Sequence, residues 1–264
     1  MLKIENITKT FNPGTITEKK AIRGISIDIN DGDFITVIGG NGAGKSTLLN
    51  LISGVHIPDT GRITLDGKDI TNLPEYKRAK YLGRVFQDPM MGTAANMEIQ
   101  ENLAMAYRRG KNRGLSWGIQ REEKEIYHEK LKLLDLGLEE RMSSKVGLLS
   151  GGQRQAITLL MATLQKPQLL LLDEHTAALD PKTAKKVLEL TEEFVAKDNL
   201  TTFMITHNMN DAIRYGNRLI MMKEGQVVYD VSGEEKKSLT VKDLLAKFSI
   251  INGNEGANDR MLLS

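Results

Sequence analysis

The 264-residue chain contains no cysteine. That excludes a disulfide framework, a thiolate metal site and a cysteine nucleophile, and it fits a reducing compartment. Long apolar runs are missing too. The opening MLKIENITKTF has no apolar core of signal-peptide length, and no later run approaches the roughly 20 apolar residues of a membrane span. Nor does one sign of charge dominate: 36 Lys and Arg against 34 Asp and Glu leave a net charge of +2. The basic residues are spread along the chain, so composition gives no push toward nucleic acid or an acidic membrane. There is no internal repeat. What is present is enough apolar material, 40% of residues, for a buried core. A soluble cytoplasmic chain is expected, either one large domain or a domain with a sizeable insertion.

Strand signals come first. LKIENI at the start, ISIDI at 25–29 and the apolar run FITVI at 34–38 read as strands, with NDGD turning between the last two. GRITLDGKDI at 61–70 adds another with an Asp66-Gly67 turn. From about Pro89 to Leu164 the spacing becomes helical. LLLL (169–172), TTFMIT (201–206) and RLIMM (218–222) then return as short apolar runs separated by helical segments. That is the pattern of a parallel sheet covered on both faces, so an α/β fold with a helical insertion is expected. NGNEGAND, 252–259, reads as a fraying stretch with no second domain behind it.

GGNGAGKST follows FITVI directly and comprises Gly39, Gly40, Asn41, Gly42, Ala43, Gly44, Lys45, Ser46 and Thr47. It satisfies G-x-x-x-x-G-K-[ST] between a strand and a helix-patterned LLNLISG. Such a loop wraps a polyphosphate with inward-pointing N–H groups. Lys45 then neutralises the β and γ phosphates, and the Ser46 hydroxyl ligates Mg²⁺. The glycine spacing does not fit a dinucleotide fold. A phosphate loop also needs a metal carboxylate and a residue that handles water, and LLLLDEHTAALD supplies both. Asp173 emerges from a strand end to hold Mg²⁺ through water, and Glu174 follows to polarise the attacking water. Asp180-Pro181 reads as a helix start, aspartate as N-cap and proline at the first helical position.

LSGGQRQ, 149–155, contains a capping box, Ser150 and Gln153, at the start of a helix running to about Leu164 and stopped by Pro167. The box leaves Gly151 and Gly152 unexplained, since glycine costs about 1 kcal/mol in a helix against alanine. Small residues at a helix N-terminus let an anion approach the free N–H groups. A second phosphate-binding helix end suggests a nucleotide held between two copies of the chain.

LSGGQRQ between GGNGAGKST and LLLLDEHTAALD resembles the signature motif of ABC-type ATPases, and the resemblance covers about residues 1–230. It implies a P-loop NTPase core with a mainly parallel sheet, an N-terminal antiparallel β subdomain and an inserted helical subdomain. In those terms residues 1–233 form the ATPase domain with the helical subdomain at about 89–165, and 234–264 a C-terminal helix and flexible tail. The resemblance also implies roles. Phe11 in TKTF matches the aromatic that stacks on adenine, and Gln87 in RVFQDP the glutamine that reaches toward Mg²⁺ and water. His207 in MITHN matches the switch histidine at the γ-phosphate, and Ala178-Leu179-Asp180 the loop that crosses the dimer interface.

One position departs from the family pattern: the residue after the glutamate is usually proline and here is His175. It is read as a structural substitution facing neighbouring loops. EHTAALDP resembles a subgroup of bacterial importer ATPases that serve small organic solutes such as amino acids. The implied cofactors are ATP and Mg²⁺. The implied partners are a second copy in an ATP-dependent dimer, integral membrane permease subunits and a separate solute-binding protein, with the chain peripheral on the inner face of the cell membrane. Met90, Met91 and Met97 read as an adaptable groove for a permease helix or as ordinary core. The basic run RRGKNRG reads as a solvated loop or a lipid-headgroup contact. The rival class, an ABC-type ATPase acting on nucleic acid or the ribosome, lacks support: Gln87 and Ser150 are too close for a long coiled coil, and there is no basic stripe.

Overall fold

The computed structural model describes residues 1–111 and 118–251. NGNEGAND and the last three residues of RRGKNRG lie outside the described residues. In chain order the first elements are β1 (Leu2–Phe11), β2 (Lys19–Ile29), β3 (Phe34–Gly39), α1 (Lys45–Ser53), β4 (Thr60–Leu65), β5 (Lys68–Asp69) and α2 (Glu75–Arg78). Then come β6 (Leu82–Val85), α3 (Ile99–Tyr107), α4 (Arg121–Lys132), α5 (Gly151–Thr163), β7 (Leu169–Asp173) and α6 (Pro181–Asp198). The last are β8 (Thr202–Ile205), α7 (Met209–Arg214), β9 (Arg218–Lys223), β10 (Gln226–Ser232), α8 (Gly233–Lys237) and α9 (Val241–Ile251). Two compact units result: Met1–Arg78 with the chain from Thr201 onward, and Ala79–Leu200.

The first unit holds an antiparallel sheet in the order β2-β1-β4-β5. Asp66 and Gly67, at φ 47° and 74°, turn β4 into β5, the two positive φ values that a tight hairpin requires. The same unit carries β10-β9-β3-β8, with β3 parallel to both β8 and β9 and β10 antiparallel to β9. All six residues of β3 are buried, which is why FITVI reads as an unbroken apolar run rather than an alternating one. Its one polar member, Thr36, stays satisfied inside by donating to the Ala212 carbonyl at 2.8 Å. On one side Ile38, Met209, Ala212, Leu219, Met221, Val231 and Leu244 form a buried cluster, through which α7 and α9 are held.

Helix α1 leaves this unit's sheet with its last carbonyls unpaired, and a buried cation takes them. Arg78 donates to the carbonyls of Leu51 and Ile52 at 2.7 Å each, Leu73 at 2.7 Å and Thr71 at 2.9 Å. A positive group at a helix C-terminus also complements the helix dipole. Burial lowers the guanidinium pKa to about 10, so it remains charged at neutral pH.

In the second unit β6 and β7 run parallel, registered from Leu82 opposite Leu169 to Val85 opposite Leu172. The strand over Leu82–Val85 is not expected from the spacing of apolar residues. Its four residues are too short for a periodicity, and one of them, Gly83, is there because an added Cβ would lie 2.5 Å from the Ala162 carbonyl oxygen of α5. Helices α3, α4 and α5 fall in the stretch of helical spacing, and α6 starts at Pro181 with Asp180 as its cap. Two arginines of RRGKNRG are engaged within the unit. Arg108 pairs with Glu123 at 2.7 Å, and Arg109 donates to the carbonyls of Ala162 and Gln165 at the end of α5.

Arg78→Met should keep the stem of the side chain and leave four carbonyls without their donor. The expected loss of unfolding free energy is at least about 3 kcal/mol, read as a urea midpoint shift. A loss below about 1 kcal/mol would contradict the capping role.

Candidate active site

The loop from Gly39 to Gly44 is shaped by how closely backbone approaches backbone. Gly39 has φ 156° and a Cβ there would lie 2.3 Å from the Met222 carbonyl oxygen. Gly44, at φ 100°, caps α1, and a Cβ there would lie 2.7 Å from the Ala21 carbonyl oxygen. Within the loop the Ala43 N–H donates to Gly40 at 3.1 Å and the Gly225 N–H donates to Ala43 at 2.9 Å. Asn41, Gly42 and Ser46 are exposed, Gly40 and Thr47 half-buried. Lys45 is buried, and its ammonium donates to the carbonyls of Gly39 at 2.7 Å and Gly40 at 3.2 Å. A cation is thereby held inside the loop at the positive end of α1, the arrangement that suits a polyphosphate.

Two further predicted residues belong to this unit. Phe11 ends β1 and meets the His56 ring edge-on, centroids 5.1 Å apart, rather than standing alone. His207 lies half-buried between β8 and α7. The next residue, Asn208, caps α7 by accepting from the N–H groups of Asn210 and Asp211. Burial raises the Asp211 carboxyl pKa, opposed by the charges of Arg214 and His207.

The second unit holds the acidic pair. Asp173 is the last residue of β7, with the Arg84 guanidinium of β6 at 3.9 Å. Glu174 follows at φ 45°, the left-handed region, which costs a non-glycine residue roughly 1–3 kcal/mol and clusters at functional sites. Gln87 is exposed just past β6, and the carbonyl before it, Phe86, accepts from the Gln155 amide of α5 at 3.2 Å. His175 does not face neighbouring loops as the sequence reading had it. It is only 2% exposed and its Nε2 lies 3.1 Å from the Thr191 hydroxyl of α6. Desolvation by burial lowers its pKa to about 4.

The capping box is present: Ser150 Oγ accepts from the Gln153 N–H at 3.3 Å, and Gln153 Oε1 accepts from the Ser150 N–H at 3.2 Å. The two glycines have different reasons. Gly151 is exposed, and a Cβ would meet nothing closer than Leu179 at 3.6 Å. Gly152 is buried, and a Cβ would lie 2.0 Å from the Thr183 methyl group of α6. Packing of α5 against α6 accounts for Gly152; an open approach to the helix end is left to Gly151. Asp180 accepts from the Thr183 N–H at 3.1 Å, and hydrogen bonding to Thr183 holds its carboxyl below the usual range.

Sequence reasoning missed Arg154, Gln155 and the burial of His175. Arg154 donates to the carbonyls of Val146, Gly147 and Leu149, pinning the chain that enters Ser150. The only signal in the sequence is that both lie within LSGGQRQ, one helical turn from the cap.

The donor chemistry fits a nucleotide with a hard divalent ion. Ser46 and Asp173 offer oxygen donors, and among the described residues no group of three or more His, Cys, Asp or Glu could hold a metal alone. Mg²⁺ characteristically takes one or two protein oxygens and completes its shell with phosphate and water.

Residues 22–177 match the family described as ABC transporter. A tyrosine transport ATP-binding protein of Clostridioides difficile (strain R20291) is 49% identical over 253 residues, 94% of this chain and 98% of that protein. A spermidine/putrescine import ATP-binding protein of Pasteurella multocida (strain Pm70) is 34% identical over 96% of this chain and 65% of its own length. Among solved structures, a dimeric post-hydrolysis state of an ATP-binding cassette bound to ADP and Pi superposes with a TM-score of 0.74 at 30% identity, covering 88% of this chain and 98% of that one.

His175 gives the site a pH dependence. Its pKa is about 4 in the folded protein against 6.5 in the open chain, so below pH 6.5 the unfolded chain takes up a proton that the folded chain does not. Stability is therefore full above pH 6.5 and falls as pH drops toward 4, by roughly 3 kcal/mol in total. Urea midpoints of the wild type and His175→Asn, compared between pH 7.5 and pH 5, should show a flatter dependence in the variant; equal slopes would contradict the assignment.

Proposed function

Because this chain belongs to the ABC transporter family as an ATP-hydrolysing, ATP-binding subunit, we propose that it powers import of a small organic solute, an amino acid, as an ATP-sandwich dimer docked on membrane permease subunits. The observation that carries the reading is the loop Gly39–Thr47, with its buried Lys45 at the N-terminus of α1, in one chain with the capped, glycine-fronted helix that follows Leu149. A single nucleotide needs only the first. The second supplies a helix end for the nucleotide of a partner copy.

The residues divide the work. Backbone N–H groups of Gly40, Asn41, Gly42 and Gly44 line the phosphates, and Lys45 balances charge on the β and γ groups. Phe11, backed by His56, stacks on the base. Ser46, Asp173 and Gln87 hold Mg²⁺ directly or through water; when bound, the ion neutralises charge building on the phosphate oxygens. Glu174 orients the attacking water and takes its proton, and His207 donates to the γ-phosphate. Ser150, Gly151 and Gln153 face the γ-phosphate of the partner copy's nucleotide, with Asp180 in the crossing loop.

The amino-acid assignment is supported by the 49% identical relative named for tyrosine transport. None of the residues above reads a solute, so selection of the solute falls to the permease and to a separate solute-binding protein. No described helix is long and apolar enough to cross a membrane; in this reading the permease subunits supply the path through the bilayer. The helical segment at about 89–165 is the permease-facing part of this reading, with Met90 and Met91 exposed on it at 42% and 70%.

Glu174→Gln removes the base and keeps the phosphate loop. The rate of ATP hydrolysis should fall at least about 100-fold while ATP affinity by calorimetry stays within about twofold. Hydrolysis near the wild-type rate would remove Glu174 from the mechanism.

A further inference from the structure

Position 175 carries histidine where the resemblance leads one to expect proline, and none of the roles above uses it. His175 follows the glutamate directly and is buried against α6. Thr191, its partner, donates its own hydroxyl hydrogen to the Val187 carbonyl one turn back at 2.8 Å. A hydroxyl has one hydrogen to give. The 3.1 Å contact with His175 Nε2 must therefore run the other way, with Nε2–H donating to Thr191 Oγ1. In this arrangement Nε2 carries a proton.

This bond ties a strained turn to a rigid element. Glu174 sits at φ 45°, and the chain beyond it folds through consecutive tight turns, the Ala177 N–H donating to Glu174 at 3.0 Å and the Leu179 N–H donating to Thr176 at 3.1 Å. On one side the strained residue is held by β7, which ends at Asp173. On the other side the first fixed point is the imidazole, bonded to a residue in the middle of an 18-residue helix whose Val187, Leu188, Phe194 and Val195 are buried. A left-handed non-glycine residue persists only where its surroundings over-determine it.

We propose that His175 is a positioning residue for Glu174: its Nε2–H bond to Thr191 on α6 fixes the turn that presents the glutamate to water. The proposal rests on the reading of Glu174 as the residue that activates water. The bond needs a donor at 175 and an acceptor at 191. It makes no contact with nucleotide, so it acts on the chemical step and leaves ATP affinity alone.

The test uses the full chain and four variants: Thr191→Val, which keeps the shape and deletes the acceptor, Thr191→Ser, which restores it, Glu174→Gln, and Glu174→Gln with Thr191→Val. Steady-state hydrolysis, ATP affinity by calorimetry and thermal midpoints are measured for each. Thr191→Val should lower kcat about 10-fold with KM and ATP affinity within about twofold, as misplacement of a reacting group does. Thr191→Ser should hydrolyse within about twofold of wild type, and in the Glu174→Gln background Thr191→Val should add no further loss, since the group it positions is already gone. Wild-type kcat in Thr191→Val, equal loss in Thr191→Ser, or the same 10-fold loss in the Glu174→Gln background would each overturn the proposal. If Thr191→Val does not fold, His175→Gln, which keeps a donor, is compared with His175→Leu, which does not; equal rates overturn it. Fast hydrolysis by Glu174→Gln would instead sink the underlying reading, whereas a slow Glu174→Gln with a fast Thr191→Val sinks only the positioning.

Discussion

At Gly39 and Gly44 a single methyl group would collide with a backbone carbonyl oxygen, of Met222 in the first case and Ala21 in the second. That closeness is what gives the phosphate loop its shape. The strand before it must be buried on both faces to hold the first contact, and α1 must start at once to hold the second. Lys45, buried at the start of that helix, donates back to the loop carbonyls. Arg78 secures the far end of the same helix by pairing its last carbonyls. A cation-bearing loop at one end and a buried cation at the other keep α1, and with it the phosphate site, in one place.

The second unit solves a related problem with different means. Here the strained residue is Glu174, and its neighbours are fixed by β7 and by a histidine buried against α6. Helix α6 also meets α5 so closely at Thr183 that a Cβ at position 152 would lie 2.0 Å from the Thr183 methyl group. The helix that starts at Gly151, the chain at Asp180 and the turn at Glu174 thus share one packed support. A change of angle in α6 would be felt at all three.

Much of this was legible in the residues. The phosphate loop, the acidic pair, the Asp180 cap and the Ser150–Gln153 box are short motifs whose chemistry is local, so neighbouring residues suffice to state it. What was not legible depends on contacts between distant segments. Gly152 looked like an anion-access residue because the sequence does not show that Thr183 lies against it. His175 read as a loop-facing substitution because nothing nearby announces its partner sixteen residues on. β6 escaped because a four-residue strand buried between β7 and α5 carries no period, and Phe11 was anticipated without the ring of His56 at its edge.

The central claim is that the helix beginning at Gly151 completes the site of a second copy of the chain. The absence of cysteine allows it to be tested by placing two. Position 151 is preferred to 152, where any side chain would strike Thr183. Asn41→Cys in one preparation and Gly151→Cys in another, both in the Glu174→Gln background, are mixed and oxidised with and without Mg-ATP. A disulfide requires Cα atoms within about 7 Å, so a covalent heterodimer formed only with nucleotide, and not by either preparation alone, is the predicted result. Cross-linking equal without ATP, or none while size-exclusion chromatography shows an ATP-dependent dimer, would contradict it.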